Sequence, residues 1–180
     1  MRKNNKRILS AGLVLCMIIS LFSQVAYAEG GSAFVSGQYE TVLGEAIEPE
    51  MIAQAALNVV YTPLHGTGLL PVREVLSHMQ GVHVTEVEAQ GEPDGAFPTC
   101  PKPNPELDET LAMGIALAKE TGADMLLATD PDCDRVGVAV RDAQGEYHRL
   151  SGNEVGLLLA EYVLRTRKLN GTTVKQQLLG

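Results

Sequence analysis

Hydrophobic residues recur along this chain in two rhythms. Short apolar runs of strand length alternate with longer stretches whose apolar positions fall three and four residues apart. Leu57-Asn58-Val59-Val60-Tyr61 reads as a buried strand, and residues 82–87 alternate as a second. Residues 124–129 and 136–141 form two further apolar runs, read as a third and fourth strand. Between them the helical spacing predicts a short helix over 49–56, started by Pro49, and a longer one over about 70–80. The longer one carries Val72, Val75, Leu76 and Met79 on one face and stops at Gly81. Asn104 and Pro105 have the chemistry of an N-cap and first turn for a helix through Leu107, Leu111, Ile115 and Ala118 to Gly122. Asp142-Ala143-Gln144-Gly145 predicts a tight turn into a strand over 146–149, hence a hairpin. Ser151 with Glu154 three residues later is a capping box for a last helix through Val155, Leu158, Leu159, Tyr162 and Val163 to about Lys168. Asn170-Gly171 ends it, and Thr172-Thr173-Val174 begins another strand.

Strands alternating with helices predict an α/β fold: a three-layer α/β/α sandwich over a mostly parallel, mixed sheet of about four to five strands. Ligands of such sheets gather beyond the carboxyl ends of the strands, so the loops after Tyr61 and Thr129 are expected to share one edge. The 17 residues of 88–104 are rich in Pro and Gly, and loops of that length are often functional.

The N-terminus departs from this pattern. Arg2, Lys3, Lys6 and Arg7 precede an almost continuous apolar stretch over 8–22, and Ala26-Tyr27-Ala28 supplies small residues for a peptidase. This predicts a signal peptide over 1–28, cleaved after Ala28, and an exported chain with no membrane attachment after cleavage. The apolar stretch is shorter than the ~20 residues that a membrane span requires. Residues 29–48 read as a linker, 49–174 as the α/β domain and 175–180 as a truncated tail.

Composition narrows the partners. A formal net charge of −8 argues against nucleic acid or an anionic membrane, and 4% aromatic content without Trp leaves no base-stacking platform. Once Cys16 leaves with the signal, Cys100 and Cys133 remain, and they are expected as reduced thiols; no CxxC or Cys/His zinc spacing occurs.

The densest chemistry lies in Asp130-Pro131-Asp132-Cys133-Asp134-Arg135, between two apolar runs. Three neighbouring carboxylates repel one another unless a cation neutralises them, and a hard divalent ion with oxygen ligands does so most simply. An EF-hand fails, because Arg135 stands where glycine is needed and Arg141 where a closing Glu is needed. The nucleophile loop of haloacid-dehalogenase-like phosphatases wants Thr or Val where Asp134 stands. Gly66-Thr67-Gly68 lies between strand and helix as a dinucleotide fingerprint would, but Pro71 replaces the third glycine. His65 is a candidate phosphate contact or acid/base group, and Lys102 a candidate phosphate contact.

Taken together, five segments resemble the α-D-phosphohexomutase family, which includes phosphoglucomutase and phosphomannomutase. They are Tyr61-Thr62-Pro63-Leu64-His65-Gly66-Thr67-Gly68, Gly95-Ala96-Phe97-Pro98-Thr99, Pro103-Asn104-Pro105-Glu106, the run from Ala128 through the acidic loop to Val136, and Ser151-Gly152-Asn153-Glu154. In order and identity they are similar to the second of that family's four domains. The resemblance implies that Asp130, Asp132 and Asp134 hold Mg²⁺ and that Arg135 orients a phosphoserine. It implies an isomerase that interconverts hexose 1-phosphate and 6-phosphate through that phosphoserine. Cys133 stands where the family often has a small residue such as Ala. The family's serine loop, its sugar-binding Gly-Glu-x-Ser-Gly-His loop and its terminal phosphate-binding loop do not occur in these residues. The resemblance therefore implies a metal-binding domain that is inactive without the missing mutase domains. The alternative is an exported acidic module that binds divalent ions or a partner without catalysis.

Overall fold

A computed structural model describes residues 38–44, 46 and 48–166. Five strands, β1 (Leu57–Thr62), β2 (Val82–Glu86), β3 (Met125–Thr129), β4 (Val136–Arg141) and β5 (Tyr147–Leu150), form one sheet in the order β2-β1-β3-β4-β5. The helices are α1 (Gln38–Gly44), α2 (Pro49–Ala55), α3 (Leu69–Ser77), α4 (Asp108–Thr121) and α5 (Gly152–Thr166).

The central strands β1, β3 and β4 are buried on both faces, and their side chains sort by the two-residue period of a strand. Leu57, Val59 and Tyr61 of β1 join Met125 and Leu127 of β3 and Val138 of β4 in one core with α1, α2, α3 and α5. Val60, Leu126, Ala128 and Ala139 point the other way and pack with Leu111 and Ala118 of α4. This is the predicted three-layer α/β/α architecture. Gly114 lets α4 lie close on the sheet, since a Cβ there would stand 2.6 Å from Leu126 Cδ1.

β1 runs parallel to β2 and β3, whereas β3–β4 and β4–β5 are antiparallel. Four of the five strands therefore run in one direction and β4 alone is reversed, which is the predicted mostly parallel, mixed sheet. The reason lies in two short connections: the acidic loop joins neighbouring strands directly, and the predicted hairpin turn at Asp142 to Gly145 joins β4 to β5. In that turn Asp142 Oδ1 accepts from the Gln144 and Glu146 N–H groups at 2.8 Å.

Three boundaries differ from the sequence reading. Helix α1 occupies part of the expected linker, and its Val42 is buried in the same core as Ile52 and the β1 residues. Helix α3 ends at Ser77 rather than Gln80, because residues 78–79 close a looser turn, with Met79 N–H bonding Leu76 O at 3.2 Å. Helix α4 starts at Asp108, not at Pro105. Asn104 does cap backbone groups, but of a separate turn: its Oδ1 accepts from Glu106 N–H at 3.0 Å and its carbonyl from Leu107 N–H at 3.0 Å. The capping box of α5 is formed, with Ser151 N–H and hydroxyl both 2.8 Å from Glu154 Oε2 and Glu154 N–H returning to Ser151 Oγ. Gly122 closes α4 with φ +67°, the left-handed conformation that favours glycine. The expected signal peptide, tail and final strand lie outside the described residues, as does the end of the last helix beyond Thr166. Among the described residues no helix is long and apolar enough to cross a membrane.

Candidate metal centre and its cleft

β1 and β3 are adjacent and parallel, so the loops that leave Thr62 and Thr129 emerge side by side at one edge. The acidic loop turns back at once into β4. Cys133 N–H bonds the Asp130 carbonyl at 3.0 Å and Asp130 N–H bonds the Arg135 carbonyl at 3.3 Å. Cys133 sits at φ +62°, and Leu64, His65 and Phe97 in the neighbouring motif loops are also left-handed. Each costs ~1 kcal/mol or more, a cost that surrounding structure must hold in place and that gathers at functional loops.

The glycine-containing loop is docked onto the acidic one. Thr67 N–H and hydroxyl both bond the Pro131 carbonyl, at 2.9 and 3.1 Å. Gly66 lies so close that a Cβ would meet Pro131 Cα at 2.3 Å. A Cβ on Gly68 would meet Thr129 Oγ1 at 2.7 Å, Tyr61 Oη at 2.8 Å and Cys133 Sγ at 3.0 Å. Tyr61 hydroxyl and Thr129 hydroxyl are hydrogen-bonded at 2.9 Å in the core beneath. The glycines are therefore needed for close approach between loops, rather than for a cofactor's phosphates.

Asp130, Asp132 and Asp134 each offer a carboxylate oxygen within 4.8 Å of the others. Asp130 is buried, whereas Asp132 and Asp134 face solvent. Burial pushes the Asp130 carboxyl up, but hydrogen bonds from the Arg135 backbone N–H at 2.9 Å and guanidinium Nε at 2.8 Å outweigh it and hold the group below the ordinary carboxylate range. Hydrogen-bonding contact with Asp130, and then its charge, push Asp134 above that range. Asp130 is thus held ionised, while Asp134 takes up a proton more readily than a free aspartate as the pH falls. The donor set suits a hard cation: octahedral Mg²⁺ holds oxygens at ~2.1 Å, which places cis ligands about 3 Å apart and trans ligands about 4 Å apart.

Arg135 spends its Nε on Asp130 and lies 3.6 Å from Asp134 Oδ1, with its side chain half-exposed. It lines an open cleft of ≈ 470 Å³ with Lys102, Pro103, Asn104, Asp130, Pro131 and Asp132. The proline-rich loop reaches this cleft across Gly137, where a Cβ would meet the Pro105 carbonyl oxygen at 2.5 Å. The cleft thus collects Lys102, Arg135, Asp130 and Asp132 from the residues singled out in the sequence.

His65 is placed differently. It is buried, its Nδ1 lies 3.1 Å from the Glu92 carbonyl and its Nε2 lies 2.8 Å from Thr99 Oγ1. The carbonyl only accepts, so Nδ1 carries the hydrogen and Nε2 takes the Thr99 hydroxyl proton in the neutral ring. Sequence reasoning missed the rest of this network. Gln90, fully buried, donates to Thr99 Oγ1 at 3.1 Å and accepts from Thr62 Oγ1 at 2.8 Å, and its carbonyl accepts from His65 N–H. A polar residue in a Pro/Gly-rich loop carries no pattern that announces burial. Cys100 and Cys133 are free thiols, buried in the cores on opposite faces of the sheet. Burial pushes the Cys133 thiol up to about 11.

Comparison with known proteins agrees with this geometry. The family described as "Phosphoglucomutase/phosphomannomutase, alpha/beta/alpha domain II" matches residues 38–145. A phosphoglucomutase of Staphylococcus haemolyticus is 40% identical over 129 residues, which is 71% of this chain and 24% of that protein. A phosphoribomutase of Saccharomyces cerevisiae is 45% identical over 108 residues, 57% of this chain and 17% of that protein. A phosphoglucomutase of Staphylococcus epidermidis is 40% identical over 114 residues, 63% of this chain and 21% of that protein. The chain spans about a quarter or less of the length of these curated relatives. With the mixed sheet, the docked loops and the aspartate cluster already in view, the match over 38–145 means that this chain belongs to the phosphoglucomutase/phosphomannomutase family, as its α/β/α domain II.

Proposed function

We propose that the domain supplies the Mg²⁺ centre of a phosphosugar mutase, an isomerase that exchanges the 1- and 6-phosphates of a hexose through a phosphoserine carried elsewhere in the enzyme. The observation that carries this reading is the aspartate triad with its oxygens within 4.8 Å, next to Arg135 at the edge of a cleft. Asp130, Asp132 and Asp134 would hold the ion. When bound, Mg²⁺ neutralises charge on a phosphoryl group in transfer. Asp130 anchors the Arg135 guanidinium through Nε, which leaves its terminal nitrogens for the phosphoserine oxygens. Both nitrogens of His65 are engaged inside the protein, which favours a positioning role that holds the docked loop over proton transfer.

The substrate in this reading is a hexose phosphate and the partners are the remaining mutase domains. These residues contain no serine in the family's Thr-Ala-Ser-His-Asn-Pro-type setting, so the chain alone is inactive in this reading. The basic and apolar pattern of residues 1–28 supports export; cell fractionation with detection of a chain beginning at Glu29 tests that part. For the function itself, residues 38–145 are grafted in place of the matching stretch of the S. haemolyticus enzyme. The expected result is Mg²⁺-dependent conversion of glucose 1-phosphate, abolished by Asp132→Asn. A folded chimera without activity, beside an active parent, would refute the reading.

A further inference from the structure

Seven Lys and Arg side chains lie among the described residues, and six are engaged. Arg73 pairs with Glu86, Lys119 with Glu146, Arg135 with Asp130, Arg149 with Asp108 and Arg165 with Glu161, while Arg141 donates to the Gly122 carbonyl. Among the described residues no ion pair or hydrogen bond holds the Lys102 ammonium. Yet Lys102 lines the cleft that Asp130 and Asp132 also line. Lys102 is exposed on the cleft wall, so its ammonium is available to a ligand that enters the cleft.

The backbone beneath it is fixed. The Lys102 carbonyl accepts from Thr110 Oγ1 at 2.9 Å and from Asn104 N–H at 2.7 Å. Pro101 and Pro103 flank it and restrict its dihedral angles. The loop rests on Gly137 through Pro105. The pinned backbone fixes the root of the Lys102 side chain at the cleft, within reach of an anion brought in from outside the domain.

The charge balance of the cleft decides the class of that anion. Asp130, Asp132 and Asp134 carry three formal negative charges against the two positive charges of Arg135 and Lys102. A divalent cation turns the balance to one positive charge, and the same centre without Lys102 would be neutral. A phosphate monoester, with about −1.5 to −2 charge at neutral pH, is better matched by the first.

We infer that Lys102 is a phosphate-positioning residue: it grips an oxygen of the phosphate monoester that arrives over the Mg²⁺ centre, opposite Arg135. This rests on the metal reading above. The phosphate is that of a phosphoserine or of a sugar phosphate, and the experiment separates the two.

The full chain, saturated with Mg²⁺, is titrated with inorganic phosphate, O-phospho-L-serine and glucose 1-phosphate, followed by ³¹P NMR. Mg²⁺ affinity is measured separately by calorimetry. Lys102→Gln should weaken phosphate binding by roughly tenfold, the loss of one partly exposed charge-assisted hydrogen bond. Mg²⁺ should bind at least as tightly, because a repelling charge has gone, and Lys102→Arg should retain phosphate. A purely structural lysine would not move the two affinities in opposite directions. Tighter binding of O-phospho-L-serine assigns the contact to the serine phosphoryl group, and tighter binding of glucose 1-phosphate to the sugar. Equal phosphate affinity in wild type and Lys102→Gln overturns the inference while leaving the metal reading intact, as does no phosphate binding by the Mg²⁺-loaded wild type. A wild type that takes up no Mg²⁺ overturns the metal reading itself, and the inference with it.

Discussion

Replacing Gly66 by alanine tests whether the glycine-containing loop positions the metal loop. The new Cβ would lie 2.3 Å from Pro131 Cα, 2.8 Å from its carbonyl carbon and 2.7 Å from its carbonyl oxygen. Carbon atoms in contact sit ~3.5–4.0 Å apart, so the loops must part by more than an ångström. All three obstructing atoms are backbone, and no side chain can swing away. Overpacking of this kind costs ~1–3 kcal/mol, and the rigid contact argues for the upper end. Parting the loops also strains the two bonds from Thr67 to the Pro131 carbonyl, each worth ~1 kcal/mol. A total of about 3–4 kcal/mol lowers the melting temperature of a domain this size by ~10 °C or more. Gly156→Ala is the control: nothing lies within 4 Å of its Cβ, and it sits inside α5. It should raise stability by ~0.5–1 kcal/mol through helix propensity. Calorimetric melts of the three proteins, without metal, decide the matter. A Gly66→Ala melting temperature within about 2 °C of wild type would refute the docking argument.

Three further outcomes are expected. The Mg²⁺-induced rise in melting temperature should shrink as pH falls from 7 toward 4. Asp134, held above the ordinary carboxylate range, takes its proton first and ceases to be a ligand; Asp130, held below that range, contributes stability that is lost only as pH falls through its depressed value. A melting-temperature rise that is flat across this range would contradict the assignment of Asp134. Cys100 and Cys133, both buried, should resist iodoacetamide at pH 8 in the native chain and label fully in denaturant, as read by peptide mapping; rapid native labelling of either would contradict the packing. The chain alone, given glucose 1-phosphate, Mg²⁺ and a bisphosphate primer, should form no glucose 6-phosphate in a coupled assay, and robust turnover would refute the need for further domains.

The sequence carried the layers well because the central strands are buried on both faces. Continuous runs such as Met125-Leu126-Leu127-Ala128 have few other homes. The acidic loop was equally legible, since three alternating carboxylates and an arginine are costly to place without a purpose. Its direction was less so. That β3 and β4 pair antiparallel follows from how tightly Asp130 to Arg135 turns, and that depends on a left-handed Cys133, which no periodicity reveals. The start of α4 was misplaced for a related reason: Asn104 satisfies a local turn as readily as a helix N-terminus, and only the contact of Pro105 with Gly137 decides between them. His65 could be singled out from its motif, but its bonds to Glu92 and Thr99 come from a loop more than 25 residues away. Gln90 had no signal at all, because its burial is a property of that docking.

The most direct test of the central claim is calorimetric titration of Mg²⁺ into the intact chain and its Asp132→Asn variant. Asp132 is exposed, so its replacement leaves the fold in place and removes a ligand. One saturable Mg²⁺ per chain in wild type, weakened about tenfold or more in the variant, is the predicted result. No saturable binding by wild type, or equal affinity in both, would contradict it.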